Sequence, residues 1–304
     1  HVHCQGPASG SIMSMYPVAI IGVGNMGGGM AGNLLARGWP VHVLDLVPQR
    51  VADQVHFGAS ALANPAQAAT KSIATIVCVI DAGQVESVLF GDQGLVSGAP
   101  EGHTVLLCPT MAPEDVEDFA HRLARHGIDT VDAPMSGGPV RARDGSMSLM
   151  VACEDAVFER SRALIDALST KVFRISQRPG DGARTKLVNN LLAGINLVGA
   201  AEVLALAGRM GLNLGTTLDV IEQSSGQSWI GSDRMRRAIA GDFAPRAHVT
   251  LLQKDTRLAV EAATAAGFTG PLGDAARDVF ARAGLAGLND LDDAAVFRLL
   301  SEAP

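Results

Sequence analysis

The stretch PVAIIGVGNMGGGMAGNLLARGWPVHVLD, residues 17–45, decides the fold. Val18–Ile21 is too short an apolar run for a helix and is rich in β-branched residues, so it reads as a buried strand. Gly22, Gly24 and Gly27 then spell G-x-G-x-x-G. The first glycine permits a tight turn, the second lets the backbone approach a pyrophosphate, and the third lets a helix over 25–37 pack on the strand. The unpaired N–H groups and positive dipole end of that helix would point at the phosphates. Gly38 ends the helix, Val41–Leu44 reads as the next strand, and Asp45 stands 23 positions after Gly22.

A carboxylate at that position accepts hydrogen bonds from both ribose hydroxyls of an adenosine and repels a 2′-phosphate, which favours NAD over NADP. Arg50 lies close enough in sequence to weaken the exclusion of NADP. The expected cofactor contacts here are Gly22, Gly24, Asn25, Met26, Gly27 and Asp45. The competing readings are a glycine-rich α/β turn with no ligand and, for Asp45 alone, a solvated strand end.

Composition bounds the rest. A chain of 304 residues with 47% hydrophobic and 18% charged residues can bury a large core and form two domains. A net charge of −7 argues against a nucleic-acid or anionic-membrane surface. Uninterrupted apolar runs fall short of 18 residues, so no membrane span is expected. Cys4, Cys78, Cys108 and Cys153 show no C-x-x-C pairing and read as reduced, mostly buried thiols of a cytoplasmic protein. The eight histidines show no metal-ligand spacing, and no metal is expected. Residues 1–15 lack a regular period and are expected to be upstream or added sequence, with Met13 or Met15 as natural start.

Strands and helices alternate through the next hundred or so residues. Helices are expected at Pro48–His56, 64–70, 81–90, 112–126 and Asp155–Leu168, and strands at 72–80, Thr104–Leu107, 130–132, Ser148–Ala152 and 171–175. That alternation implies an α/β, Rossmann-like doubly wound parallel sheet with its ligand at the carboxyl ends of the strands. Val79, Ile80 and Thr110 would lie along that edge, facing the cofactor or serving as ordinary strand-end packing. Pro179-Gly180-Asp181-Gly182 breaks the composition. The expected division is therefore 16–178 for dinucleotide binding and 179–304 for an all-α substrate and oligomerisation domain, built around a long helix over 185–209. Leu191, Leu192, Ile195, Leu197 and Val198 make that helix apolar on most of its circumference, as for a helix buried on all sides.

Two further groups carry chemistry. Ser136-Gly137-Gly138 offers a hydroxyl and accessible backbone N–H groups, a nest for a carboxylate, or else a plain turn. Lys186, Asn189 and Asn190 share a helix face at i, i+3, i+4. A desolvated lysine there has its pKa lowered toward the range of a general acid or base, with an asparagine one turn on to hold the substrate. The alternative is a snorkelling lysine with two exposed amides.

From Pro17 onward these residues resemble the β-hydroxyacid dehydrogenase family, which includes 3-hydroxyisobutyrate dehydrogenases and tartronate semialdehyde reductases. GVGNMGGGMAGNL looks like the family's cofactor signature, DAPMSGG its substrate signature, GDGARTKLVNN its catalytic signature, and Lys254-Asp255 its cofactor-side signature. The resemblance implies Lys186 as catalytic acid/base, Asn190 as its substrate-holding companion, and Ser136, Gly137, Gly138 and Asn189 as substrate-binding. It places Lys254 at the nicotinamide side, and implies a C-terminal domain like that of 6-phosphogluconate dehydrogenase. The chain departs from the family pattern at Val79-Ile80, where Leu-Pro is usual, and at Pro109, where a serine hydroxyl is usual. At subgroup level, CVIDAGQVESVLFGDQGL (78–95) and GQSWIGSDRMRRAIAGDF (226–243) look most like L-threonate dehydrogenases. Trp229, Arg234, Arg236 and Arg237 read at least as well as a core aromatic with a solvated basic face as they do in a substrate role.

The function expected is NAD-dependent oxidation of a small hydroxy acid, L-threonate or a related sugar acid, to the oxo acid. A 3-hydroxyisobutyrate dehydrogenase or a tartronate semialdehyde reductase is the alternative within the family. A non-catalytic NAD-binding module is the alternative from another class. The apolar second domain suggests a homodimer or homotetramer.

Overall fold

The computed structural model of the chain describes residues 15–302 and divides into two units. One holds the residues up to Pro109 together with Glu114–Gly182; the other holds Thr110–Pro113 and the chain from Ala183 onward. The reading of residues 1–14, Cys4 and Met13 included, lies outside the described residues.

In the first unit the chain runs β1 (Val18–Ile21), α1 (Asn25–Ala36), β2 (Val41–Leu44), α2 (Pro48–His56), β3 (Ser60–Ala61), α3 (Pro65–Lys71), β4 (Ala74–Val77), α4 (Ala82–Phe90) and β5 (Thr104–Leu107). It continues through α5 (Pro113–Ala124), β6 (Asp129–Asp132), β7 (Met135–Ser136), α6 (Gly138–Asp144), β8 (Ser148–Ala152), α7 (Asp155–Leu168) and β9 (Lys171–Ser176). The sheet order is β3-β2-β1-β4-β5-β6-β8-β7, with β9 on β8. From β3 to β6 every pairing is parallel, and Ile20 sits level with Val43 on one side and Ile76 on the other. Val18, Ile20, Val43, Ile76 and Leu106 are fully buried, as expected of parallel strands covered on both faces. Local chemistry starts the helices: Asn64 accepts from Gln67 N (3.0 Å) ahead of α3, and Asp81 from Gln84 N (2.9 Å) ahead of α4.

The sheet is not parallel throughout. β6 and β7 each pair antiparallel with β8. The two-residue strands β3 and β7 are too short to leave a periodic signal, and the run expected at 72–80 contracts at both ends to β4.

The second unit is helical: α8 (Asp181–Arg209, whose first two residues belong to the first unit), α9 (Leu214–Glu222), α10 (Trp229–Ile239), α11 (Val249–Ala265), α12 (Pro271–Leu285) and α13 (Val296–Ser301). Its core gathers Leu197, Ala201, Leu204, Met235, Val249, Phe280 and Ala283, all fully buried. A Cβ at Gly194 would lie 2.8 Å from Thr256 Cγ2, so α8 and α11 pack with almost no space between them.

Two expectations are corrected here. α8 is not buried on all sides: Val188 is 72% exposed, and Leu192, Val203 and Leu206 are also exposed. Its most apolar 18-residue window has a mean hydropathy of 1.8, long and apolar enough by composition to cross a membrane, although Leu197, Ala201 and Leu204 place it in the core of the helical unit. An uninterrupted-run criterion misses this window because polar residues and glycines punctuate it. Trp229 is exposed rather than a core aromatic, whereas Arg234 and Arg237 are largely buried and paired with Asp293 and Asp292.

Candidate active site

The glycine turn takes its shape from two backbone collisions that only glycine avoids. Gly22 has φ +91°, and a Cβ there would sit 2.4 Å from Cys78 O, so the turn lies directly against the segment leading to Val79. A Cβ at Gly27 would sit 1.8 Å from Gly22 O. At Gly24, by contrast, a Cβ would meet only the Arg50 guanidinium, at 3.7 Å. α1 starts just beyond with no side-chain cap and no acid in its first turn, at Asn25 and Met26. Uncapped N–H groups beside an open backbone are the donor set that a pyrophosphate requires. The residues present therefore fit a dinucleotide.

Asp45, at the end of β2, is largely buried: its Oδ2 accepts from Val23 N (2.9 Å) and its Oδ1 from Val47 N (2.8 Å). It is thus a fixed carboxylate rather than a solvated strand end. Each oxygen keeps a lone pair for a ribose hydroxyl. Val79 is half-buried, while Ile80 is exposed, with its N–H donating to Gln84 Oε1 (2.9 Å).

Ser136 closes β7 opposite Ser148 and is half-buried. Gly137 (φ +131°) and Gly138 (φ +79°) follow, a run that side-chain-bearing residues adopt only under strain. Nothing lies within 4 Å of a Cβ built on Gly138, so its backbone faces open space. Pro139 supplies no N–H, which restricts the donors to the Ser136 hydroxyl and the preceding backbone.

In the second unit, Lys186, Asn190, Lys254, Asp255 and Thr110 come together. Lys186 is only 8% exposed, and burial lowers its amine below the usual lysine range, with Lys254 pushing the same way and Asp255 opposing. Asn190 Nδ2 donates to Asp255 Oδ2 at 2.6 Å. Asp255 Oδ1 is buried, accepts no hydrogen bond and lies 3.9 Å from Lys254 Nζ. Burial raises the Asp255 carboxyl, offset by Lys254, Asn190 and Lys186. Lys254 Nζ also donates to Thr110 O at 3.1 Å, and Thr110 belongs to this unit. Asn189 is exposed and donates to Asn190 Oδ1 (3.0 Å), so it touches the cluster only through its neighbour.

Sequence reading placed Asp255 in the cofactor-side signature beside Lys254 but gave it no role of its own. Its signal was its register: Val249, Leu252, Thr256 and Ala259 are the buried face of α11, and an acid on that face needs partners. Asp132 is the second omission. It is 1% exposed at the end of β6, its Oδ2 accepts from Gly180 N (2.7 Å), and a Cβ at Gly182 would meet it at 2.9 Å. The start of α8 is thereby tied to the sheet.

Among the described residues no group of histidines, cysteines and acids could hold a metal ion. Cys108 and Cys153 are buried free thiols pushed up by burial, Cys153 to about 11.

Both halves of the chain resemble known proteins. Residues 17–176 match the family model for the NAD binding domain of 6-phosphogluconate dehydrogenase, and residues 180–300 the model for the NAD-binding region of NADP-dependent 3-hydroxyisobutyrate dehydrogenase. An L-threonate dehydrogenase of Escherichia coli is 36% identical over 95% of this chain and 96% of its own length. A 3-hydroxyisobutyrate dehydrogenase of Pseudomonas aeruginosa is also 36% identical, over 88% of this chain and 91% of its own. A Salmonella typhimurium crystal structure described as 3-hydroxyisobutyrate dehydrogenase superposes with a TM-score of 0.86 at 35% identity, covering 93% of this chain and 99% of that one. With both halves matched and relatives aligned over nearly their full length, this chain belongs to the 3-hydroxyisobutyrate dehydrogenase-like family of NAD(P)-dependent β-hydroxyacid dehydrogenases.

Proposed function

We propose that the chain oxidises a small hydroxy acid, best matched by L-threonate or a related sugar acid, to the oxo acid with NAD. The observation that carries the chemistry is Lys186: a desolvated amine, one helical turn before an asparagine that a buried aspartate orients. Neutral Lys186 Nζ accepts the proton of the substrate hydroxyl, and in the reverse direction its ammonium returns that proton to the oxygen. The nicotinamide ring, when bound, supplies the hydride acceptor. Asn190, its amide direction set by Asp255, holds the substrate hydroxyl. Ser136, Gly137 and Gly138 are assigned to the substrate carboxylate. Asn189, exposed and reaching Asn190, takes an outer place in substrate binding. Gly22, Gly24, Asn25, Met26, Gly27 and Asp45 are assigned to the adenosine and pyrophosphate, and Val79, Ile80, Thr110 and Lys254 to the nicotinamide side. Asp45 favours NAD.

The division of labour follows the same reading: the first unit for the dinucleotide, the second for substrate and self-association. The exposed apolar residues of α8 and its neighbours, Val188, Leu192, Val203, Leu206 and Met210, support a homodimer or homotetramer, checked by sedimentation. The buried unpaired thiols of Cys108 and Cys153 support a reducing, cytoplasmic setting.

The L-threonate dehydrogenases among the relatives support L-threonate, and the 3-hydroxyisobutyrate dehydrogenase and 2-hydroxy-3-oxopropionate reductase support the two alternatives. NAD reduction at alkaline pH against L-threonate, D-threonate, glycerate, 3-hydroxyisobutyrate and tartronate separates them. L-Threonate should give the highest kcat/KM. A higher value for another acid reassigns the substrate, and NAD binding without turnover on any of them points to a non-catalytic module.

A further inference from the structure

α8 is apolar on two opposite faces. Leu197, Ala201 and Leu204 lie in the core of the helical unit, and Gly194, on the same side, packs against Thr256. On the other side Val188, Leu192, Val203, Leu206 and Met210 are 45–72% exposed. At about 100° per residue these five, with the half-buried Ile195, fall within an arc of about 80°. Met210 extends the helix by donating to Leu206 O (2.9 Å). From Leu187 to Met210 the charged residues are Glu202 and Arg209 alone.

The stripe has a centre. Gly199 is exposed, and nothing lies within 4 Å of a Cβ built on it, so packing within its own chain does not call for a glycine that weakens a helix interior. Ile195 and Val203 stand four positions to either side of Gly199, Leu192 and Leu206 seven, Val188 and Met210 eleven. A two-fold axis at Gly199 therefore maps the stripe onto itself. In an antiparallel pair, Leu192 of one copy comes level with the partner's Leu206, Ile195 with the partner's Val203, and Val188 with the partner's Met210. The members of each pair sit on opposite flanks of the stripe, so they interdigitate, and the missing side chain at Gly199 lets the helices come closest at the axis.

A lipid surface has no use for that symmetry, and interfacial helices surround their apolar face with Lys and Arg, which this stripe lacks. The stripe alone has a footprint of roughly 33 Å by 10 Å, short of the roughly 800 Å² per partner of a stable pair. A Cβ on Gly273 would lie 3.3 Å from Leu191, which sets the start of α12, with exposed Leu272 and Phe268, beside the amino-terminal half of the stripe. The two-fold adds that surface at both ends.

We propose that a second copy of the chain docks on this face, α8 against α8, antiparallel and crossing at Gly199. This rests on the self-association assigned to the second unit and gives it a surface and a register. Lys186 and Asn190 lie about half a turn round the helix from the stripe, so each copy keeps its own site while the two helices that carry them stand back to back.

Sedimentation velocity of the full chain at micromolar concentration tests the surface. Leu206→Glu, at an exposed position, should halve the mass of the assembly, from dimer to monomer or tetramer to dimer. Gly199→Leu adds apolar area and helix propensity, which would strengthen a non-specific apolar contact. It should instead raise the dissociation constant by about tenfold or more, because the crossing needs a glycine. In a Cys4→Ser background, Gly199→Cys should form an intermolecular disulfide under mild oxidation. Leu192→Cys should not, its two copies standing about 21 Å apart along the pair. A wild-type monomer overturns this proposal and the self-association together, and a monomer that floats with phosphatidylcholine vesicles gives the face to lipid instead. An assembly of unchanged mass in Leu206→Glu, tighter association in Gly199→Leu, or equal cross-linking of the two cysteine variants leaves self-association standing and overturns the α8 crossing.

Discussion

Asn190 and Asp255, 65 positions apart in the chain, meet through a 2.6 Å hydrogen bond from the amide of one to the carboxylate of the other. The bond joins α8 to α11 and gives Asn190 a defined orientation: with its N–H₂ committed to the acid, its oxygen faces the other way. The same carboxylate stabilises a proton on Lys186, which burial and Lys254 otherwise disfavour. A buried acid with one oxygen unbonded costs free energy unless nearby cations offset it, and Lys186 and Lys254 are those cations.

The first prediction concerns Lys186. Replacing it with Ala should lower kcat/KM for hydroxy-acid oxidation by about 10²–10⁴-fold, the range for loss of a general acid or base. Dinucleotide binding, read by calorimetry, should persist. Near-normal turnover in Lys186→Ala would remove the lysine from the mechanism.

A second prediction follows from the sign of the shifts. Oxidation requires neutral Lys186, so its rate should rise with pH, with a midpoint below 10.5, the ordinary lysine value. Asp255 is the group that raises this amine, so Asp255→Asn removes attraction for the ammonium and the midpoint should move to lower pH. KM should rise as well, because the charge-assisted bond that orients Asn190 becomes a weaker bond to a neutral amide oxygen, whose own N–H₂ can turn toward Asn190 instead. A purely structural Asp255 would lower stability and leave the pH midpoint where it was.

The third prediction separates two glycines three positions apart. Gly27→Ala forces a Cβ to 1.8 Å from a backbone carbonyl that has nowhere to move, and overpacking of this kind costs about 1–3 kcal/mol. Its Tm without ligand should fall by several degrees. Gly24→Ala meets only the end of Arg50 at 3.7 Å, so its Tm should stay within about 2 °C of wild type. Its Kd for NAD should nevertheless rise, because the new methyl stands where the pyrophosphate approaches. Equal effects of the two substitutions on stability would contradict the distinction between packing and binding glycines.

Much of the first unit was readable from local signals. β1, β2, β5, β8, α2 and α7 fall where apolar runs and helix-start signals place them, because each is one contiguous segment with its own local pattern. The two-residue strands β3 and β7 carry no period of their own and exist only through their neighbours in the sheet. The antiparallel pairings around β8 depend on the direction in which the chain re-enters the sheet beside β6, which no local pattern encodes.

By itself the sequence determined the glycine turn, the acid after it, the alternation that builds the sheet and the residue types of each candidate site. Those are consequences of spacing and of what a backbone without Cβ can do. Tertiary structure alone decided that Asp255 stands with Asn190 and Lys186, and that Asp45 is held by two backbone N–H groups. It also decided that one face of α8 stays exposed where its composition suggested burial all round. Each of these depends on which helix packs on which, and so on contacts between residues far apart in the chain.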